Sequence, residues 1–357
     1  MIFRLIPAAG ALAMLVTLSA CAPEPVGAQP PPPPAATPTA TSAASEPVVA
    51  PRTAIDLSCD DAIDATTRND LLQGAGTLVG PTFDLREMQI AERQIGGFEC
   101  WWSSTRDDGG TNKVHFAVIP NAAAEFAALR DRSEYGDAWS YDEFGDSSEF
   151  MCADGYCEFR VLVGDVWISG VVARLAALDR DRVAAAVIEL TAAVAAAPRS
   201  DSTWTPPVDA LQGWGRDCQS DGGVEAPILP ALRELYHSPE MGSMGMEGPD
   251  PASLSPRALK AVSYCNAAGA DYAIMAYAAV VVGGGWATEP AAAAELLGAG
   301  LTTVEVPGAS RALVRCDHGC VGFASVNGSL VVHSNPVDDR ALFVSRFGQV
   351  IGAVLAS

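Results

Sequence analysis

Two stretches decide how the chain folds: Cys152-Ala-Asp-Gly-Tyr-Cys157-Glu-Phe-Arg-Val-Leu-Val-Gly164-Asp165-Val-Trp-Ile-Ser169 and Cys316-Asp-His-Gly-Cys320-Val-Gly-Phe-Ala-Ser-Val-Asn327-Gly328-Ser-Leu-Val-Val332. Both say the same thing. A close cysteine pair flanks a tight turn, an apolar β-prone run follows, and a turn dipeptide begins seven residues after the second cysteine. Asn-Gly between apolar runs is the strongest short hairpin signal, and Gly-Asp suits the related turn with glycine first. Each stretch therefore reads as three antiparallel strands joined by two hairpins.

The cysteines extend this correspondence over most of the chain. There are nine. Setting Cys21 aside, the rest fall as Cys59, Cys100, Cys152, Cys157 and Cys218, Cys265, Cys316, Cys320, with spacings of 41, 52 and 5 against 47, 51 and 4. Two quartets so alike point to tandem duplication. The element order expected in each half is α-β-β-α-β-β-β-α. Helices are expected at 61–73 and 230–237, strands at 97–103 and 261–265, and strands at 113–119 and 272–282. Ala-rich helices follow at 122–132 and 289–297, and terminal helices at 180–197 and 338–356. Hairpin-linked strands with helices laid on them make the fold class α+β: two tandem homologous domains, 53–198 and 199–357, each a mostly antiparallel sheet covered by helices.

If Asp154-Gly155 is a two-residue turn, Cys152 stands opposite Cys157. In the three-residue loop of Cys316-Asp-His-Gly-Cys320, Gly319 takes the left-handed position and Cys316 faces Cys320. Facing positions of this kind are bridgeable by a disulfide. The remaining pairs are then Cys59–Cys100 and Cys218–Cys265, although four cysteines permit three connectivities and this choice rests on turn geometry alone. A four-cysteine zinc site per half is the rival; one close pair plus two distant cysteines fits it poorly, and zinc is not expected.

The N-terminus places the protein. Arg4 precedes an apolar run, Leu5 to Thr17, too short to span a bilayer, and the run ends at Leu18-Ser19-Ala20-Cys21. This resembles the lipobox of bacterial lipoproteins. The resemblance implies removal of residues 1–20 as a signal peptide and lipidation at Cys21, with the protein held on the extracytoplasmic face of the membrane. Residues 21–52, with Pro30 to Pro34 unbroken and Ala, Thr and Ser between the other prolines, read as a disordered tether reaching about 3 Å per residue. An exported, oxidising compartment also favours disulfides.

Little else announces chemistry. The net charge of -21 argues against nucleic acid as a partner. No HExxH, GxSxG, phosphate-loop or dinucleotide fingerprint occurs, and Gly283-Gly284-Gly285 reads as a flexible loop. Of the four histidines, Asp317-His318 is accounted for by its turn, and His115 and His333 are lone strand histidines. No catalytic residue and no cofactor is expected. One segment is unusual: His237, Met241, Met244 and Met246 lie in a Gly-rich stretch whose soft thioethers suit Cu(I), which makes them weak metal candidates. Trp101 and Trp102 point to opposite faces of a strand, so at most one is expected in the core, the other being either covered by a helix or exposed for binding. Trp139 and Tyr141, in the acidic stretch 134–149, are candidates for a recognition patch.

The lipobox, the Pro/Thr/Ala-rich tether and the two-disulfide α+β domains together resemble actinobacterial envelope lipoproteins of unknown function, and similar domains occur as extracellular sensor modules of some actinobacterial kinases. The resemblance implies a non-enzymatic binding or sensing role toward an envelope protein or a small ligand. The alternatives are an envelope hydrolase with clustered carboxylates and copper handling by the Met-rich loop.

Overall fold

In chain order the first half runs α1 (Cys59–Ala62), α2 (Ala65–Leu72), β1 (Thr77–Leu78), α3 (Arg86–Gln94), β2 (Phe98–Thr105), β3 (Thr111–Ile119), α4 (Ala123–Arg130), β4 (Ser140–Tyr141), β5 (Ser147–Ala153), β6 (Tyr156–Val163), β7 (Val166–Ala173) and α5 (Arg180–Ala196). The second half runs β8 (Met241–Gly242), β9 (Val262–Ala268) and β10 (Ile274–Val281). A 3-10 turn (Gly284–Thr288) follows, then a short helix (Pro290–Ala292) continued as a π turn (Ala293–Leu297). It closes with β11 (Thr302–Val304), β12 (Arg311–Cys316), β13 (Cys320–Val326), β14 (Ser329–Asn335) and α6 (Arg340–Ala356). The computed structural model describes residues 49–78, 86–105, 111–131, 140–153, 155–173, 178–200, 204–208, 210–211, 230, 233–235, 241–242, 261–268, 274–317, 319–336 and 338–356; for 241–242, 264–268 and 274–275 it describes the backbone alone.

The strands form two seven-stranded antiparallel sheets. Their orders are β1-β2-β3-β7-β6-β5-β4 and, read in the corresponding direction, β8-β9-β10-β14-β13-β12-β11. The second sheet repeats the first strand for strand, as a duplicated α+β chain requires. The turn chemistry explains the shared meander. Asn327 and Gly328 both have positive φ between Val326 and Ser329, whereas only Gly164 does so in the Gly-Asp turn between Val163 and Val166.

Each sheet buries its outer face under its own terminal helix. Helix α5 presents Val183, Ala186, Val187, Leu190 and Val194, a stripe of helical period, to Val114, Phe116, Phe159, Val161 and Ile168. Asp179 caps it by accepting from the Asp181 N–H at 3.0 Å. Helix α6 presents Phe343, Phe347, Val350, Ile351 and Val354 to Ala324, Val326 and Val331, and Asp339 accepts from the N–H groups of Ala341 and Leu342. Among the described residues no helix is long and apolar enough to cross a membrane.

Several details differ from the sequence reading. The helix expected at 61–73 is two, α1 and α2, because Asp64 leaves α1 in an extended conformation and caps α2 through the Thr66 and Thr67 N–H groups. The short edge strands β1, β4, β8 and β11 carry too few residues for an alternation to be read. Gly283 to Gly285 do not form a flexible loop. They enter the buried 3-10 turn, where a Cβ on Gly285 would lie 2.5 Å from Ser325 Oγ and 2.9 Å from the Gly328 backbone, so glycine is what lets this turn press on the β13–β14 hairpin. The largest difference is α3, a helix in a region without an expected element. Both halves lie within one compact unit, Pro47–Ser357, and α3 packs on elements of each.

Candidate functional site

Helix α3 belongs to the first half by sequence and to the second by packing. Met88, Ile90 and Ala91 share one apolar cluster with Val262, Tyr277, Val281, Trp286 and Leu297. Arg86 Nη1 donates to the Leu297 carbonyl at 2.8 Å, Gln94 Nε2 donates to the Val282 carbonyl at 3.1 Å, and Arg93 pairs with Glu295. The helix also packs on β2 of the first sheet, and Glu87 and Glu92 are buried.

The first sheet meets α3 with a polar inner face. Alternation along β2 sends Phe98, Cys100 and Trp102 to the α5 side, and with it Glu99 and Trp101 to the other. Glu99, Ala117, Ser169, Arg160 and Glu149 then stand in register across five strands. At the β5–β6 end, Arg160 Nη1 donates to Glu149 Oε2 at 3.1 Å and Nη2 to Glu158 Oε1 at 2.6 Å, with Arg160 and Glu149 both fully buried. A buried guanidinium is tolerated when carboxylates satisfy it in this way.

At the β2–β3 end the balance is different. His115 Nε2 lies 3.6 Å from Glu99 Oε1, and the imidazole packs on Trp101 with ring centroids 4.6 Å apart. Lys113 Nζ, two residues before His115 on the same strand, lies 5.6 Å from the centroid of Trp101. Glu92 is 0% exposed and Glu99 6%. No described donor reaches either Glu92 oxygen, and the neighbour within hydrogen-bonding reach is another carboxyl, that of Glu99. Burial first, and then the like charge of Glu99, hold the Glu92 carboxyl well above the usual carboxylate range. Glu92, Glu99 and His115 thus lie buried in sequence from α3 to β3, with both Glu92 oxygens unpaired among the described residues.

The sequence-derived candidates are placed as follows. Cys59–Cys100, Cys152–Cys157 and Cys316–Cys320 are disulfide-bonded, with Cα–Cα distances of 5.5, 4.0 and 4.1 Å. Cys152 faces Cys157 and Cys316 faces Cys320 in the ladder. Bonds of this kind belong to an oxidising, extracytoplasmic compartment. Cys21, Cys218 with its expected bridge to Cys265, His237, Met244, Met246, Trp139 and His318 lie outside the described residues. Met241 is in no loop: Met241 and Gly242 pair with Ala267 and Asn266 as edge strand β8. Among the described residues no group of three or more His, Cys, Asp or Glu side chains is arranged to hold a metal. Trp102 lies in the core on the α5 side, and Trp101, on the opposite face, is buried too, on a strand that α3 packs against, which is the helix-covered outcome of the two expected for it. Tyr141 is exposed, but it sits under the Arg130 guanidinium at 5.7 Å, and Arg130 is itself held by both oxygens of Asp142 at 2.9 and 3.0 Å. Arg130, then Ser147, pull the Asp142 carboxyl down to about 2, so this part of the acidic stretch is a fixed corner.

The cluster at Glu92 escaped the sequence reading. Its signal was present in Met88, Ala91 and Ile95, an i, i+3, i+7 spacing, but no element was expected in this stretch. A search of protein-family models finds no match, and no curated protein matches either. Among solved structures, the di-domain ARO/CYC StfQ from the steffimycin biosynthetic pathway covers 79% of this chain and 96% of its own at 9% identity, with a TM-score of 0.17, a likeness too slight to carry any argument.

Proposed function

We propose that the chain is a lipid-anchored envelope protein with a non-enzymatic binding or sensing role. Acyl chains on Cys21 hold it to the extracytoplasmic face of the membrane, residues 22–52 space it from the surface, and the duplicated α+β body meets an envelope protein or a small ligand. More than one acyl chain is needed for stable anchoring, since a single chain binds only reversibly. The observation that carries this reading is the combination of a lipobox-like Leu18-Ser19-Ala20-Cys21 with a disulfide-closed body built twice on one plan. The sealed state of the acid–base cluster points the same way, because Glu92, Glu99 and His115 are all buried among the described residues and turnover needs a route for substrate and water. The hydrolase alternative draws on the same pair of converging carboxyls, one of them with raised proton affinity.

The test compares the native chain with Cys21→Ala in an actinobacterial host fed a fatty-acid analogue. The native chain is expected to carry the label and sediment with membranes, and the variant to do neither; equal behaviour overturns the anchoring. Membrane-extracted native protein is then expected to retain an envelope component saturably and unchanged. Release of a hydrolysis product from that component would replace the binding role with the hydrolase.

A further inference from the structure

Helix α3 does two kinds of work. It locks into the second half through Met88, Ile90, Ala91 and the Gln94–Val282 and Arg86–Leu297 contacts. It packs on β2 as well, and there brings Glu92 against Glu99 on the inner face of the first sheet. Two carboxylates buried side by side do not both stay ionised, because a low-dielectric interior disfavours each charge and screens their repulsion poorly. The groups around the pair offer Glu92 no counter-charge. On α3 itself, Arg93 is taken by Glu295 of the π turn, and Arg86 points to the Leu297 carbonyl with Arg315, Glu87 and Asp317 near it. From β3, His115 faces Glu99 and Lys113 faces Trp101. From β10 there is Tyr277. Beyond burial itself, only Glu99 acts on the Glu92 carboxyl. A proton on Glu92 converts the contact from two acceptors that repel into a donor and an acceptor that bond.

We propose that Glu92 and Glu99 form a protonation-gated clasp between the two halves of the body: with one proton held between the carboxyls, α3 stays seated against the first sheet while anchored in the second half, and loss of that proton loosens the seam. The clasp acts within the folded chain, independently of lipid, ligand or partner. Its direction follows from linkage. A carboxyl whose proton affinity is raised by folding contributes its full stability below the ordinary carboxylate range and loses it as pH rises through the raised value. The seam is therefore closed in acid and opens with rising pH, by up to about tenfold in the opening equilibrium per pH unit across the window in which Glu92 titrates.

Hydrogen exchange on the full-length protein between pH 5 and 9, corrected for the intrinsic pH dependence of exchange, measures this opening directly. Peptides covering 86–97 are expected to lose protection with rising pH in the wild type, while those of α5 do not. In Glu92→Gln, whose neutral amide donates to Glu99 at every pH, protection over 86–97 is expected to be independent of pH. Glu99→Gln removes the like charge and is expected to move the loss of protection to lower pH; it decides the matter if Glu92→Gln does not fold. A profile over 86–97 that is the same in the variant as in the wild type overturns the clasp, as does loss of protection on the acid side.

Discussion

His333 shows how much one buried side chain sets the pH response of its half. It sits fully buried under α6, its ring stacked on Phe343 at 5.3 Å and near Phe347 at 6.0 Å, with Nδ1 2.8 Å from the Tyr277 carbonyl. Burial, aided by the charge of Arg346 and opposed by the Tyr277 carbonyl, pushes its pKa down to about 4. The unfolded chain binds this proton near 6.5. Because the folded value is the lower one, the contribution is complete above pH 6.5 and is lost as pH falls toward 4, which amounts to about 3 kcal/mol. Urea midpoints for wild type and His333→Leu across pH 4 to 7 are expected to converge toward the acid end, the wild type falling and the variant changing less. Parallel curves would show that His333 carries no such linkage. Glu92 has the opposite sign: its neutral form is also the folded form, but for an acid this favours low pH. Neither behaviour was legible in the sequence. A lone strand histidine and a glutamate between apolar residues acquire these properties only from what covers them.

At the scale of elements, the disulfides separate two kinds of work. Cys152–Cys157 closes a loop of 5 residues at a hairpin whose register the ladder and turn already define, whereas Cys59–Cys100 closes one of 41 and ties the start of α1 to β2. In the chain-entropy model the short bridge is worth about 2 kcal/mol and the long one about 4 kcal/mol. Paired Cys→Ala replacements followed by chemical denaturation are expected to give that order, with the Cys59/Cys100 variant the less stable. The reverse order would mean that strain or residual unfolded structure outweighs loop closure. The hairpins were readable because turn chemistry is local: Asn327-Gly328 and Gly164-Asp165 specify their turns whatever surrounds them. The terminal helices were readable because one stripe of each is apolar at helical period. Helix α3 was not, because it is buried on more than one side, by β2 just after it in the chain and by strands and turns of the second half far along the chain. The four short edge strands escaped for a simpler reason, since two or three residues cannot display an alternation.

At the scale of the whole molecule, the repeated strand order gives two sheets, each backed by its own long helix, and α3 fastens the first half to the second. The spacing of eight cysteines made the duplication visible, because disulfide partners hold their places in a fold while the loops between them change length. That α3 reaches into the second half was not visible, since its partners there lie far along the chain. In the function proposed above, this body is carried on a lipid at Cys21 and stabilised by four bridges in the envelope. The intact mass of protein extracted from native membranes tests that claim most directly. The predicted species begins at Cys21, carries diacylglyceryl, with or without a further acyl chain on the new N-terminus, and is eight hydrogens lighter than the fully reduced lipidated chain. A mass that retains residues 1–20, or that leaves Cys21 unmodified, would contradict it.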